Sequence, residues 1–139
     1  MDERLSKKIY AELENIDEVF KEIPSSEKLP YLSTLELAGT AALLHNFYNG
    51  IENILKRIFL SENIEIPEGK SSHKELIETA VKKQIISEEL KNTLGEYLAF
   101  RHFFSHAYAF DLYADKMEPL VQNSKEVYSN FKKEITKYL

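Results

Sequence analysis

An apolar stripe of helical period runs along almost the whole chain, and it restricts the possible folds more than any other feature. Leu5, Ile9, Leu13, Ile16, Phe20 and Ile23 return every three or four residues, which lines one face of a helix from about Asp2 to Glu22. Pro24-Ser25-Ser26 and then Pro30 end it. A second pattern, carrying Leu35, Leu43, Phe47, Ile51, Ile54, Leu55 and Ile58, predicts a helix from near Tyr31 to about Leu60. Its length makes it the central helix.

The connection that follows holds Pro67 and Gly69, and Ser72 with Glu75 three residues later has the form of a capping box, so a short helix is expected over about 72–83. Ser87 followed by Glu88 and Glu89 marks a further start, because a hydroxyl cap and early acids complement a helix N-terminus. Leu90, Leu94, Tyr97, Leu98, Phe104 and Ala107 carry that helix to roughly Phe110. A last helix is expected from about Lys116 to Tyr138, and Pro119 forbids a start much before Asp115.

No segment alternates as a strand, and the chain has only four glycines, so the fold class is all-α, an antiparallel bundle of four to five helices. A chain of 139 residues, 43% hydrophobic and 29% charged, suits a single domain over 1–139 with one core. Its apolar stretches fall well short of the roughly 18 residues that cross a bilayer. The N-terminus lacks the apolar region and cleavage site of a secretory signal. Cysteine is absent, so no disulfide framework calls for an oxidising compartment, and the expected location is the cytoplasm without membrane association. A net charge of -5 argues against gripping long nucleic acid on a broad basic face, but leaves room for a compact site acting on one phosphodiester.

The densest polar cluster in an apolar setting is Arg101-His102-Phe103-Phe104-Ser105-His106-Ala107-Tyr108, late in the fourth helix. Only Arg4, Arg57 and Arg101 are arginines among 18 basic residues, and setting one beside two histidines among aromatics is costly unless the groups are bonded, used or exposed. Such a set suits RNA cleavage by its own 2'-hydroxyl: a histidine moves a proton near neutral pH, and a guanidinium stabilises the charge growing on phosphorus. That chemistry requires no metal and no cofactor.

On a straight helix Arg101 and His106 lie about 140° apart, whereas Arg101 and Tyr108 share a face. Convergence of Arg101 and His106 then needs a reaching side chain, a bent helix or a second subunit. The last option favours a homodimer meeting through the fourth helix.

Arg101-x-x-x-x-His106-x-Tyr108 resembles the R-x-x-x-x-H-x-Y signature of HepT-like toxins of the HEPN superfamily. The resemblance implies a dimeric helical bundle and a metal-independent endoribonuclease with RNA, tRNA-like molecules included, as substrate. It implies Arg101 and His106 as the catalytic pair and His102 as a supporting polar neighbour. It also implies a minimal nucleotidyltransferase antitoxin that adenylylates Tyr108, placing charge and bulk where the RNA phosphate sits. A second reading is a non-catalytic HEPN module that serves as partner or substrate of that nucleotidyltransferase.

Several residues carry competing expectations. His45, Asn49 and Glu52 fall at helical spacing in the second helix and either support the cleft or form a polar seam, with Gly50 allowing close approach. In a purely structural reading Arg101 pairs with a carboxylate such as Glu52, and His106 is hydrogen-bonded within the bundle. His102 and His106 are spaced like zinc ligands on a helix, but no further ligand accompanies them in sequence, so no metal is expected. Tyr97, Phe100, Phe103, Phe104, Phe110 and Tyr113 suit core packing better than base stacking. His73, at the start of the third helix, is expected to have no catalytic part.

Overall fold

The structure, a computed structural model, describes residues 3–139. Its α-helices are α1 (Glu3–Glu22), α2 (Thr34–Ser61), α3 (Ser72–Lys82), α4 (Glu88–His106) and α5 (Ala114–Glu134), with 3-10 turns at Ser26–Tyr31, Ala109–Asp111 and Thr136–Tyr138. Among the described residues there is no strand, and the all-α bundle expected from the periodicity is what forms. The expected start of the first helix at Asp2 lies outside the described residues.

Each helix buries most of the stripe that its sequence paints, although Leu35, read as part of the second stripe, is 83% exposed in the first turn of α2. Leu5, Ile9, Leu13 and Ile16 of α1 pack against α2, whose Leu44, Phe47, Ile51, Ile54, Leu55 and Ile58 are almost wholly inaccessible. Burying one such side chain contributes roughly 1.5–3 kcal/mol, so α2, touched by all the other α-helices, organises the core. At the crossing of α1 and α2 a Cβ on Gly50 would lie 2.6 Å from Ile16 Cγ1, which makes the glycine a condition of that approach. Two tyrosines tie α5 into the bundle: the Tyr128 hydroxyl donates to Asp17 Oδ1 at 2.9 Å, and the Tyr97 hydroxyl donates to the Leu120 carbonyl at 2.7 Å.

The helix boundaries depart from expectation where local hydrogen bonding overrides periodicity. Pro30 sits in the first 3-10 turn, and α2 begins at Thr34 rather than near Tyr31. Ser33 and Glu36 form the capping box there: Ser33 Oγ accepts from Glu36 N at 3.1 Å and Glu36 Oε1 accepts from Ser33 N at 2.9 Å. These bonds hold the Glu36 carboxyl below its usual range. The expected box at Ser72 and Glu75 does not form, because Ser71 occupies the cap position, its side chain makes no cap bond, and Glu75 N bonds the Ser71 carbonyl.

Asn63 and Gln84, both at positive φ, follow the C-caps of α2 and α3; Ile64 N and Ile85 N then reach back to the carbonyls of Phe59 and Ala80, each at 2.8 Å. Ser87 caps α4 as expected, with its Oγ accepting from Leu90 N at 3.0 Å.

Helix α4 ends at His106, short of Phe110. Ala107 (ψ 149°) and Tyr108 (ψ 156°) are extended, and Asp111 Oδ2 accepts from Tyr108 N at 3.3 Å. A short acidic side chain that satisfies a nearby backbone donor offers the chain an alternative to the helix. The turn also returns buried Leu112 to the core. Arg101 and Tyr108 therefore do not share a helical face. Helix α5 starts at Ala114, so Pro119 falls in its second turn and offers no N–H to the Asp115 carbonyl four residues before it.

Candidate functional site

The motif arginine turns away from the end of α4 and towards α2. Arg101 is half-buried, and its Nε donates to Asn49 Oδ1 at 3.4 Å. Since Oδ1 faces a donor, the Asn49 amide nitrogen faces His45 Nε2, 3.0 Å away, and donates to it. The neutral imidazole that this bond requires is favoured by its surroundings: burial, and then the Arg101 charge, push the His45 pKa down. His45 Nδ1 is buried without a hydrogen-bond partner. His45, Asn49 and Arg101 thus form a line of side chains from α2 to α4.

Glu52 belongs to a second pair. It is only 2% exposed, and its Oε1 lies 2.7 Å from Nδ1 of His73 at the start of α3. The buried Tyr48 hydroxyl lies beside the same carboxylate, and its pKa is pushed up by burial, then by the Glu52 charge and by hydrogen bonding to Glu52. The expected ion pair between Arg101 and Glu52 is absent: the arginine is bound to the amide one helical turn earlier, and the carboxylate is bound to a histidine. His73, set aside in the sequence reading, is therefore bound to the carboxylate that the purely structural reading had paired with Arg101.

Arg101 and His73 face one cleft. It has a volume of about 490 Å³ and is lined by Lys70, His73 and Lys74 on one side and by Gly95, Arg101 and His102 on the other. No carboxylate lines it, although the chain as a whole is acidic. It also opens at the N-terminus of α3, where the uncapped first turn adds positive potential. An anion, and above all a phosphate, fits this arrangement of charge.

His106 and Tyr108 are not among the residues that line the cleft. Both are exposed, Tyr108 at 70%, so the purely structural reading, with His106 hydrogen-bonded inside the bundle, does not hold for that residue. The His106 ring meets that of His102 edge-on at 5.0 Å, and so connects to the residue that lines the cleft. No hydrogen bond or ring contact joins Arg101 to His106 among the described residues. Among those residues, too, no group of three His, Cys, Asp or Glu side chains is placed to hold a metal.

The aromatics divide. Tyr97 is buried, as core packing requires, but Phe103, Phe110 and Tyr113 are 45%, 69% and 59% exposed. Tyr108 and Phe110 stack in parallel with centroids 5.4 Å apart. Phe100, Phe103, Leu112, Tyr113 and Met117 line an open groove of about 770 Å³ between α4 and α5. The end of α4 thus has a cationic side and an apolar, aromatic side.

The all-helical bundle is HEPN-like, with Arg101 and His106 in the last two turns of α4 and Tyr108 in the extended segment after it. A family model described as HepT-like protein matches residues 39–139, from early α2 through α5. The chain belongs to this HepT-like family. No curated protein and no solved structure gives a match to it. Among the described residues no helix is long and apolar enough to cross a membrane.

Proposed function

We propose that this chain, as a single HEPN domain over residues 1–139, is the metal-independent endoribonuclease toxin of a HEPN and nucleotidyltransferase module. Arg101 and His106 act on the RNA phosphodiester, and tRNA-like molecules are among the candidate substrates. The observation that carries this reading is the cleft free of carboxylates, built around Arg101 on an acidic chain. Such a cleft draws in a phosphate and places a guanidinium where charge grows during transesterification. His102 shapes the cleft wall, Asn49 holds Arg101, and Glu52 supports from beneath.

In this reading a minimal nucleotidyltransferase antitoxin adenylylates Tyr108. Its phenol is exposed, and it follows His106 by two residues, so a phosphate-bearing adduct there repels incoming RNA. The exposed aromatic face at the end of α4 supports a homodimer through that helix, which brings two copies of the motif together. The proposed location is the cytoplasm. Expression of the chain alone should arrest growth, His106→Ala should relieve the arrest, and co-expression of the nucleotidyltransferase should also relieve it. Equal arrest by wild type and His106→Ala would overturn the ribonuclease reading.

The exposure of Tyr108 also favours a second reading, a non-catalytic module whose tyrosine serves as partner or substrate of the nucleotidyltransferase. It requires Tyr108 and is indifferent to Arg101 and His106. Acceptance of AMP by a protein that never cleaves RNA would establish it.

A further inference from the structure

Histidine 73 has the setting of a working group. Its Nδ1 is 2.7 Å from a carboxylate that is almost wholly buried. A buried carboxylate of this kind accepts the Nδ1 proton and fixes both the ring's orientation and its tautomer, which leaves the Nε2 lone pair available. The side chain is 31% exposed, and it opens onto the same cleft as Arg101. Lys70 and Lys74 line the cleft with it, and no carboxylate is among the lining residues. Glu52, at 3% side-chain exposure, has His73 at its Oε1 and the buried Tyr48 hydroxyl beside it. Burying a carboxylate costs several kcal/mol unless it is well bonded, so this pairing is expensive if its purpose is only to hold α3 against α2.

We propose that His73 is a further catalytic residue, the general base of RNA cleavage, and that Glu52 is its positioning residue. This rests on the ribonuclease reading given above. With Nδ1–H donated to Glu52, His73 Nε2 takes the proton of the ribose 2'-hydroxyl as the 2'-oxygen bonds to phosphorus. Arg101, on the facing wall of the cleft, stabilises the oxygens of the phosphorane. The bond from phosphorus to the 5'-oxygen then breaks, and protonated His106 gives that oxygen its proton. One proton is taken and one is given, and the products are a 2',3'-cyclic phosphate and a 5'-hydroxyl, with no water or redox partner consumed. Lys70 and Lys74 hold phosphates next to the scissile one. The scheme assigns two separate groups to the two proton transfers within one protomer, where the motif's catalytic pair holds one histidine.

The test variant is His73→Asn. The asparagine amide can still donate to Glu52 from near the Nδ1 position, so the buried carboxylate keeps a partner, but the Nε2 base is gone. The probe is an oligoribonucleotide of mixed sequence, with a second version in which sulfur replaces the 5'-bridging oxygen and leaves without needing a proton. On the oxygen substrate His73→Asn should lower kcat by about 100-fold or more with KM changed by less than about 3-fold. The sulfur substrate should restore His106→Ala and should not restore His73→Asn. Glu52→Gln should lower kcat in the same sense by a smaller factor, and added imidazole should restore part of the activity of His73→Ala. If wild type cleaves, His106→Ala does not, and His73→Asn cleaves at the wild-type rate, His73 is only a structural partner of Glu52 and this inference falls alone. Rescue of His73→Asn by sulfur would make it the acid and overturn the assignment. If wild-type protein leaves the RNA intact, the ribonuclease reading falls and takes this inference with it.

Discussion

Asn49 Oδ1 accepts the Nε–H of Arg101 across the interface between α2 and α4, at 3.4 Å, while the same amide donates to His45. The guanidinium is thus held by one edge, and no other hydrogen bond within the described chain occupies its Nη groups. Asn49→Ala should leave the bundle folded and lower the cleavage rate by about 10-fold, the scale of one lost neutral hydrogen bond to a charged group. Steady-state kinetics on an oligoribonucleotide measure it, and a rate equal to wild type would remove Asn49 from its supporting role.

Tyr108 is the exposed residue whose modification matters most in the proposed module. Tyr108→Phe should keep the nuclease and lose the mass gain of AMP when incubated with the cognate nucleotidyltransferase and ATP. Intact-protein mass spectrometry decides between this outcome and modification elsewhere, since adduct on Tyr108→Phe at the wild-type level would move the acceptor to another side chain.

Gly50 tests the packing of α1 on α2. An added methyl gains up to about 1 kcal/mol of helix propensity. It must also displace buried, β-branched Ile16, at a cost of typically about 1–3 kcal/mol. Gly50→Ala should therefore lower the thermal midpoint, and Gly50→Ala with Ile16→Ala should cost less than the sum of the two separate losses. A midpoint raised by Gly50→Ala alone would show that Ile16 yields freely.

His45 gives the bundle a sensitivity to acid. Burial and the Arg101 charge lower its pKa in the folded state from the ordinary 6.5, so below that value the unfolded chain binds this proton more readily than the folded one. The associated stability is complete above pH 6.5 and is lost as pH falls towards the folded pKa. Between about pH 5.5 and 7, His45→Gln should show a flatter dependence of unfolding free energy on pH than wild type in urea melts. Parallel curves would mean that the imidazole already titrates normally.

The sequence made the bundle legible because each helix buries a stripe of period 3.6, from Leu5 to Ile16 in α1 and from Leu44 to Ile58 in α2. The hydroxyl at Ser87 also marked its helix start correctly. Boundaries failed where competition was local. Ser71 displaced Ser72 at the start of α3, and the Asp111 bond to Tyr108 N ended α4 before the motif was complete.

Arg101, His102 and Asn49 could be found from spacing and from the scarcity of arginine. The pairing of Glu52 with His73 could not, because it joins residues 21 positions apart on different helices, and no period along one helix reports such a contact. Phe103, Phe110 and Tyr113 were misjudged as core for a related reason: the turn after His106 carries two of them out of the helical register.

The most direct measurement is end-group analysis of RNA incubated with purified protein in EDTA, by mass spectrometry of the fragments. Wild type should yield 2',3'-cyclic phosphate and 5'-hydroxyl ends, and Arg101→Ala and His106→Ala, folded to the same extent, should yield none. Fragments ending in 5'-phosphate, or equal cleavage by the two variants, would contradict transesterification by these residues.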